Sequence, residues 1–151
     1  MKRSPKKLSA KIFLLAVIIG IGCLRLVESF TVPVQYGKVF YRLGLNLEKK
    51  KKPDKALEYY HKALLYDPSL SEAYNQLGIV YRGKGEFDKS VASLQKAIDR
   101  DPSRHQAYHD LGLTYRANRE YPAALVYFEK ARVLYPHYPF VGQYLYDAGL
   151  A

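Results

Sequence analysis

The sequence has few of the residues on which disulfides, metal sites and catalysis depend. Its 151 residues include one cysteine, one methionine, four histidines and no tryptophan. The lone Cys23 excludes a disulfide or a thiolate cluster within one chain. His105 and His109 lie four residues apart, but no third ligand accompanies them, so we predict no metal. No Ser/His/Asp arrangement, glycine-rich phosphate loop or carboxylate pair stands out, and the sequence therefore predicts neither an enzyme nor a cofactor.

What the sequence does contain is a pattern that recurs every 34 residues. Its fixed points are a large ring, a Leu-Gly pair, two small residues and a proline. These are Phe40, Tyr74 and Tyr108; Leu43-Gly44, Leu77-Gly78 and Leu111-Gly112; Ala56, Ser90 and Ala124; Ala63, Ala97 and Ala131; and Pro68, Pro102 and Pro136. The pattern resembles the tetratricopeptide repeat (TPR), a helix–turn–helix unit of this length.

Packing explains why such residues recur. A glycine inside a helix costs about 1 kcal/mol, so its repetition indicates that a neighbouring helix approaches closely at Gly44, Gly78 and Gly112. Asp67-Pro68 and Asp101-Pro102 are expected to end helices, since the residue before a proline avoids the helical region. We therefore predict an all-α solenoid of three TPR units, whose stability depends on stacking between neighbours.

The predicted units are residues 37–70, 71–104 and 105–138. Residues 139–151 continue past them as half a unit, with Phe140, Tyr144 and Leu145 placed to pack on the third repeat and Gly149 to end the helix. We interpret this segment as a C-terminal capping helix. Its weakly polar outer face is equally compatible with a dimerisation edge.

The N-terminal region, residues 1–29, is predicted to be a signal anchor or a signal peptide. Five basic residues precede the apolar run Ile12–Leu24, which Arg25 ends. As a helix this run is about 20 Å long, short against a hydrocarbon core of about 30 Å, but flanking basic residues can extend it by snorkelling. The segment is therefore expected to engage a membrane.

Three fates of this segment remain open. In the first, it is retained as an anchor, which the lack of an Ala-x-Ala cleavage site favours. In the second, it is cleaved after Val27-Glu28-Ser29. In the third, Gly20–Cys23 is a lipobox and Cys23 is lipidated. Positive charge stays on the cytoplasmic side of a membrane. The N-terminus is therefore expected inside, with the repeats facing the periplasm or exterior after a short extended linker over residues 30–36.

The net charge of +10 divides evenly, with +5 in residues 1–35 and +5 in the remainder. The second half is concentrated at Lys49, Lys50, Lys51 and Lys52, in the predicted turn of the first unit. These lysines are candidates for contact with anionic lipid, or they form a solvated turn. No nucleic-acid recognition motif accompanies them, so we predict no nucleic-acid partner.

The resemblance implies that the first helix of each unit lines a concave groove that holds a peptide or a partner helix. The matching positions form three rows with one residue from each unit. The first row is Tyr41, Asn75 and His109; the second, aliphatic row is Leu45, Ile79 and Leu113; and the third is Glu48, Arg82 and Arg116. The arginines are expected to pair with a ligand carboxylate. A C-terminal segment or a second copy of the chain covering the aliphatic row is the other interpretation.

Some members of the family hold the C-terminal carboxylate of heat-shock chaperones in a clamp of Lys, Asn and Arg. The matching positions here are Tyr41, Leu45, Gln76, Gln106 and Asp110, so we expect no such ligand, and Asp110 is expected to repel a carboxylate. The sequence thus predicts a membrane-anchored scaffold for another protein, in envelope assembly or secretion. The alternatives are a homo-oligomeric structural element, or a lipid or polyanion binder acting through Lys49–Lys52.

Overall fold

A computed structural model describes residues 35–136, and these residues form six α-helices. Helix α1 spans residues 35–49, α2 Pro53–Tyr66, α3 Ser71–Gly83, α4 Phe87–Arg100, α5 His105–Ala117 and α6 Tyr121–Leu134. The predicted all-α solenoid of three helix pairs is confirmed. The apolar run at 12–24 with Cys23, most of the predicted linker and the predicted cap lie outside the described residues.

The helix ends follow from local chemistry. Pro53 and Pro122 lie in the first turn of α2 and α6, where a proline removes no hydrogen bond. The backbone leaves the helical region at Asp67 and Asp101, each before a proline. The carboxylate of Asp67 then accepts hydrogen bonds from the Ser69 backbone N–H (3.0 Å) and hydroxyl (2.6 Å). This Asx turn gives the Ser69 N–H, in the loop that follows the helix, an acceptor.

One difference from the sequence prediction concerns the linker. Residues 35 and 36, expected to be extended, belong to α1. The Tyr36 ring lies 5.8 Å from that of Tyr66, and Phe40 stacks on the same ring at 5.2 Å. Because the end of α2 offers this aromatic surface, a helix that begins earlier buries more apolar area.

The glycines of the repeated Leu-Gly pair lie where two helices touch, as predicted. A Cβ placed on Gly44 would lie 2.7 Å from the Tyr60 ring, and one on Gly78 would lie 2.7 Å from Leu94. At Gly112 the Phe128 ring is 2.5 Å from that position. Neighbouring small residues, among them Ala56, Ala97 and Ala124, are fully buried. The first and second helices of each unit therefore pack in direct contact.

The first helices of neighbouring units also meet. Helix α3 contacts α5, and Tyr41 on α1 packs against the core cluster that includes Leu77 on α3. The second and third units share a buried hydroxyl pair, in which Ser90 and Thr114 lie 2.9 Å apart while Ser90 donates to the Gly78 carbonyl. Helices α1, α3 and α5 consequently form one continuous layer.

The first unit differs from the others in exposure. Leu43 is 42% exposed, whereas its counterparts Leu77 and Leu111 are at most 2% exposed. Val39 is similarly exposed, while the equivalent Ala73 is buried. In the other units this face packs on the preceding second helix, and no such helix precedes α1 among the described residues. None of the helices within residues 35–136 is both long and apolar enough to cross a bilayer.

Candidate functional site

The residues predicted to line a groove lie on one side of the layer formed by α1, α3 and α5. On α3, the spacing of Asn75, Ile79 and Arg82 places them on a common side. Tyr74 and Leu77 lie on the other side of α3 and pack into the core between helices. The structure therefore brings the predicted rows together along three adjacent helices.

The aliphatic row is partly exposed in all three units. Leu45, Ile79 and Leu113 are neither fully buried nor fully exposed. Leu45 also contacts the core cluster around Tyr60 and Leu77. The row thus offers an apolar stripe whose base is held by the packed interior.

Three polar side chains meet where the second and third units join. The amide of Asn75 donates to one carboxylate oxygen of Asp110 at 3.0 Å, and the Arg82 guanidinium donates to the other at 3.0 Å. Arg82 also donates to the Asp110 backbone carbonyl at 3.1 Å. Asn75 and Asp110 are both more than nine-tenths buried. Arg82, which we expected to pair with a ligand carboxylate, is paired within the chain.

Asp110 was not predicted to have this role. The expectation that it repels a carboxylate ligand treated it as an isolated charge, whereas Arg82 neutralises it and Asn75 binds it. Asn75 lies 35 residues before Asp110, one residue more than the repeat. The sequence pattern aligns equivalent positions, and it does not show that non-equivalent ones pair across a joint.

The two histidines have separate surroundings. His109 is 8% exposed, and its ring lies 5.7 Å from that of Phe128. Burial lowers the pKa of His109; the Asp110 carboxylate acts against this shift, and the Arg82 guanidinium adds to it. The His105 ring stacks on Tyr135 at 4.7 Å. Among residues 35–136, no group of three or more potential metal-ligating side chains comes together.

The outer members of the rows are accessible to different degrees. Tyr41 is half-buried against Tyr60, and burial raises its pKa. Arg116 is partly exposed. The hydroxyl of Tyr60 donates a hydrogen bond to the Glu48 carboxylate. Burial is the larger cause that raises the pKa of the Tyr60 hydroxyl, and the Glu48 carboxylate raises it further. Glu48 is thereby held against α2.

The lysine cluster lies at the turn between α1 and α2. Lys49, Lys50, Lys51 and Lys52 are all exposed, and Lys51 has a positive φ of 55°. These residues end α1 and follow it, and Lys49 lies one helical turn after Leu45 of the aliphatic row. The lysine cluster is therefore adjacent to the end of that row.

Comparison with protein families identifies the repeats. Two family models described as tetratricopeptide repeat match residues 37–70 and 75–139. No curated protein sequence matches the chain significantly.

Solved structures share the fold at low sequence identity. The first TPR domain of Spaghetti (RPAP3), bound to HSP90 peptide SRMEEVD, is 21% identical with a TM-score of 0.74, over 77% of this chain and 92% of that one. The TPR2B domain of yeast Sti1 in complex with pHsp70 is 21% identical with a TM-score of 0.72, over 76% and 97%. YrrB, a TPR protein with an unusual peptide-binding site, is 27% identical with a TM-score of 0.66, over 71% of this chain and 55% of that one.

Proposed function

Because the chain belongs to the tetratricopeptide repeat family, we propose that it is a non-catalytic adaptor that binds a peptide or a partner helix. The ligand lies along α1, α3 and α5. The observation that carries this proposal is the partly exposed aliphatic row of Leu45, Ile79 and Leu113, one residue per unit. An aliphatic stripe on rigid, adjacent helices suits an extended peptide or the apolar side of a helix.

The ligand is expected to bind mainly through apolar contacts. Arg82 and Asp110 neutralise each other, so this part of the groove has little net charge. The positions that match the chaperone clamp supply no cation, since they are Tyr41, Leu45, Gln76, Gln106 and Asp110. A peptide with spaced aliphatic or aromatic anchors therefore fits better than one that relies on its terminal carboxylate.

The groove is tested by substituting its apolar row. Ile79→Arg or Leu113→Glu should abolish partner capture from membranes of the source cell while the helical circular dichroism is unchanged. Val126→Arg is the matched control, because Val126 is an exposed aliphatic residue on α6, outside the groove. Capture that survives both groove substitutions would contradict the proposed site.

The peptide SRMEEVD provides a direct test of the ligand class. Spaghetti binds it, and the fold likeness makes it a natural first probe. In the groove along α1, α3 and α5 we expect no saturable binding, so the fluorescence anisotropy of the labelled peptide should be the same with the full chain and with Ile79→Arg. Tight binding that Ile79→Arg removes would overturn the apolar-anchor preference and would leave the adaptor function intact.

We further propose that the N-terminal segment holds the repeats at a membrane, with the array on the outer side. The support is the basic stretch followed by the apolar run Ile12–Leu24. The intact mass of the membrane-extracted protein tests this. A mass that includes Met1–Arg25 is expected for a retained anchor. A mass that corresponds to a chain beginning at acylated Cys23 or at Phe30 would contradict the retained anchor.

The alternative functions make different predictions. A homo-oligomeric element, joined through exposed apolar residues such as Val39 and Leu43, shows a concentration-dependent mass. A lipid-surface binder acting through the exposed Lys49–Lys52 turn binds anionic vesicles in a salt-sensitive manner, and glutamine substitutions remove that binding. Neither outcome requires the aliphatic row.

A further inference from the structure

A second groove lies on the opposite side of α3, between α2 and α4. His61 and Leu64 line it from α2, Tyr74 and Tyr81 from α3, and Ser93 and Lys96 from α4. Its volume is about 420 Å³, and Leu77 forms part of its floor. Tyr74 and Tyr81 face away from Ile79 on the same helix, so this groove is distinct from the aliphatic row.

The groove is open because of one residue. Ser93 occupies the repeat position that is Tyr59 in the first unit and Tyr127 in the third. In the third unit the Tyr127 ring stacks on Tyr115, with centroids 5.3 Å apart and planes 9° from parallel. The equivalent of Tyr115 in the second unit is Tyr81, which has the small Ser93 in place of a ring. The space above Ser93 in the second unit is therefore occupied by the Tyr127 ring at the equivalent place in the third unit.

The lining of this groove is basic. Its ten residues include His61, Lys89 and Lys96 and no aspartate or glutamate. The ammonium of Lys96 lies 5.9 Å from the centre of the Tyr74 ring, and that of Lys89 lies 5.6 Å from the centre of the Tyr81 ring. Lys89 also pairs with Glu86 at 2.6 Å. Within residues 35–136, no carboxylate lies within ion-pair distance of Lys96.

Hydrogen-bonding groups mark the opposite wall. The Nε2 atom of His61 and the Tyr81 hydroxyl lie 3.1 Å apart across the groove between α2 and α3. Leu64, Leu65, Leu77 and Ala92 supply the apolar part of the surface. A ligand that fits this lining combines an apolar side chain with a negative charge a short distance away.

We propose that this second groove binds an acidic peptide segment of a partner protein. One aspartate or glutamate of the segment pairs with Lys96, and an adjacent apolar side chain fills the space above Ser93 and Leu77. The occupant is a peptide rather than a nucleic acid or a lipid surface, because the cations are few and the groove is a narrow cleft with an apolar floor. The array thereby presents two different ligand sites on opposite sides of α3.

The probe is a short capped peptide of alternating glutamate and leucine, and its control replaces each glutamate with glutamine. Each is titrated into the isotope-labelled full chain in detergent micelles and followed by NMR. The glutamate peptide is expected to saturate and to shift the amide signals of α2 and α4 around His61 and Ser93. No saturation, or equal binding of the glutamine peptide, would overturn the proposal.

Two variants locate the site. Ser93→Tyr, which installs the residue that the other two units carry, and Lys96→Glu should each weaken peptide binding about tenfold or more. Lys130→Glu is the matched control and should leave binding unchanged, because Lys130 lies over the Tyr127 ring in the third unit, where the space is filled. Unchanged binding in both Ser93→Tyr and Lys96→Glu would contradict the site. Helical circular dichroism checks that each variant folds.

The same titration separates this site from the proposed adaptor groove. Ile79→Arg should leave the peptide-induced shifts of the His61 and Ser93 signals unchanged while it removes capture of the partner held by the aliphatic row. Loss of those shifts in Ile79→Arg would place the peptide in the other groove and overturn the second site. Stronger shifts of the His61 and Ser93 signals by a single-stranded oligonucleotide or an anionic vesicle than by the peptide would overturn the ligand class.

Discussion

Asp110 binds Arg82 with one carboxylate oxygen and Asn75 with the other, so its truncation to alanine removes the acceptor of the buried Asn75 amide and leaves Arg82 with the backbone carbonyl alone. We expect Asp110→Ala to lower the free energy of unfolding by about 2 kcal/mol, less than for a fully buried pair because the Arg82 side chain is 20% exposed. Urea denaturation measures this. The control Glu58→Ala removes an exposed partner of Lys62 and should leave stability unchanged. Similar effects of the two substitutions would contradict the buried role of Asp110.

His109 makes stability depend on pH. Burial lowers the pKa of His109, so the folded chain favours the neutral ring. The stabilisation from His109 is complete above the unfolded pKa of about 6.5 and is lost as the pH falls toward the lower folded pKa. We expect His109→Gln to flatten the dependence of urea stability on pH below about 6.5. An unchanged slope would contradict this prediction.

The repeat pattern predicted which side chains share one side of the first helices. It did not show which of them form hydrogen bonds or ion pairs within the chain. The repeat pattern places Asn75, Arg82 and His109 on that side because the helical period determines direction. Whether a polar residue there serves a ligand depends on its neighbour in the next unit. Asp110 supplies that neighbour for two of them.

The turns between paired helices share a backbone feature. Lys51, Gly85 and Arg119 are spaced by 34 residues, and all have positive φ, at 55°, 76° and 65°. Only the second unit has a glycine there, and other residues in this conformation cost about 1 kcal/mol. We expect Arg119→Gly to raise the thermal midpoint and Gly85→Ala to lower it, measured by circular dichroism. Shifts in the same direction would contradict this reading of the turns.

Most of the element boundaries could be predicted, because proline and glycine act locally. Asp67-Pro68 and Asp101-Pro102 end α2 and α4, and the Leu-Gly pairs lie at helix contacts. The helical conformation of residues 35 and 36 could not, since Tyr36 packs on the Tyr66 ring at the far end of the next helix. The positive φ of Lys51 and Arg119 could not be predicted, because neither lysine nor arginine usually adopts this conformation.

The two joints of the array differ in what holds them. The first and second units share a buried apolar cluster that includes Tyr60 and Leu77, but the polar contacts between them are exposed, among them Asp54 with Lys84 and the Arg100 guanidinium donating to the Pro68 carbonyl. The second and third units are joined by buried contacts of Ser90 with Thr114 and Asn75 with Asp110. Salt screens exposed charges and leaves buried bonds largely intact.

We therefore expect the first unit to open before the other two. In hydrogen–deuterium exchange followed by mass spectrometry, amides of α2 should exchange faster than those of α4 and α5, and added salt should widen the difference. Lys84→Gln serves as a test of the cause, because it should speed exchange in α2 alone. Uniform exchange across the three units would indicate a single cooperative array.

The difference between the joints determines how the array responds to force when it is held at one end and a bound partner pulls on it. When the held end is the N-terminal one, the first joint bears the load of both remaining units and its polar contacts are exposed, so it yields first. Separation of the first unit withdraws Leu45 from the aliphatic row, while Ile79 and Leu113 stay aligned across the buried joint. The grip on the partner then shortens by about a third instead of failing at once, so the array releases a load in steps.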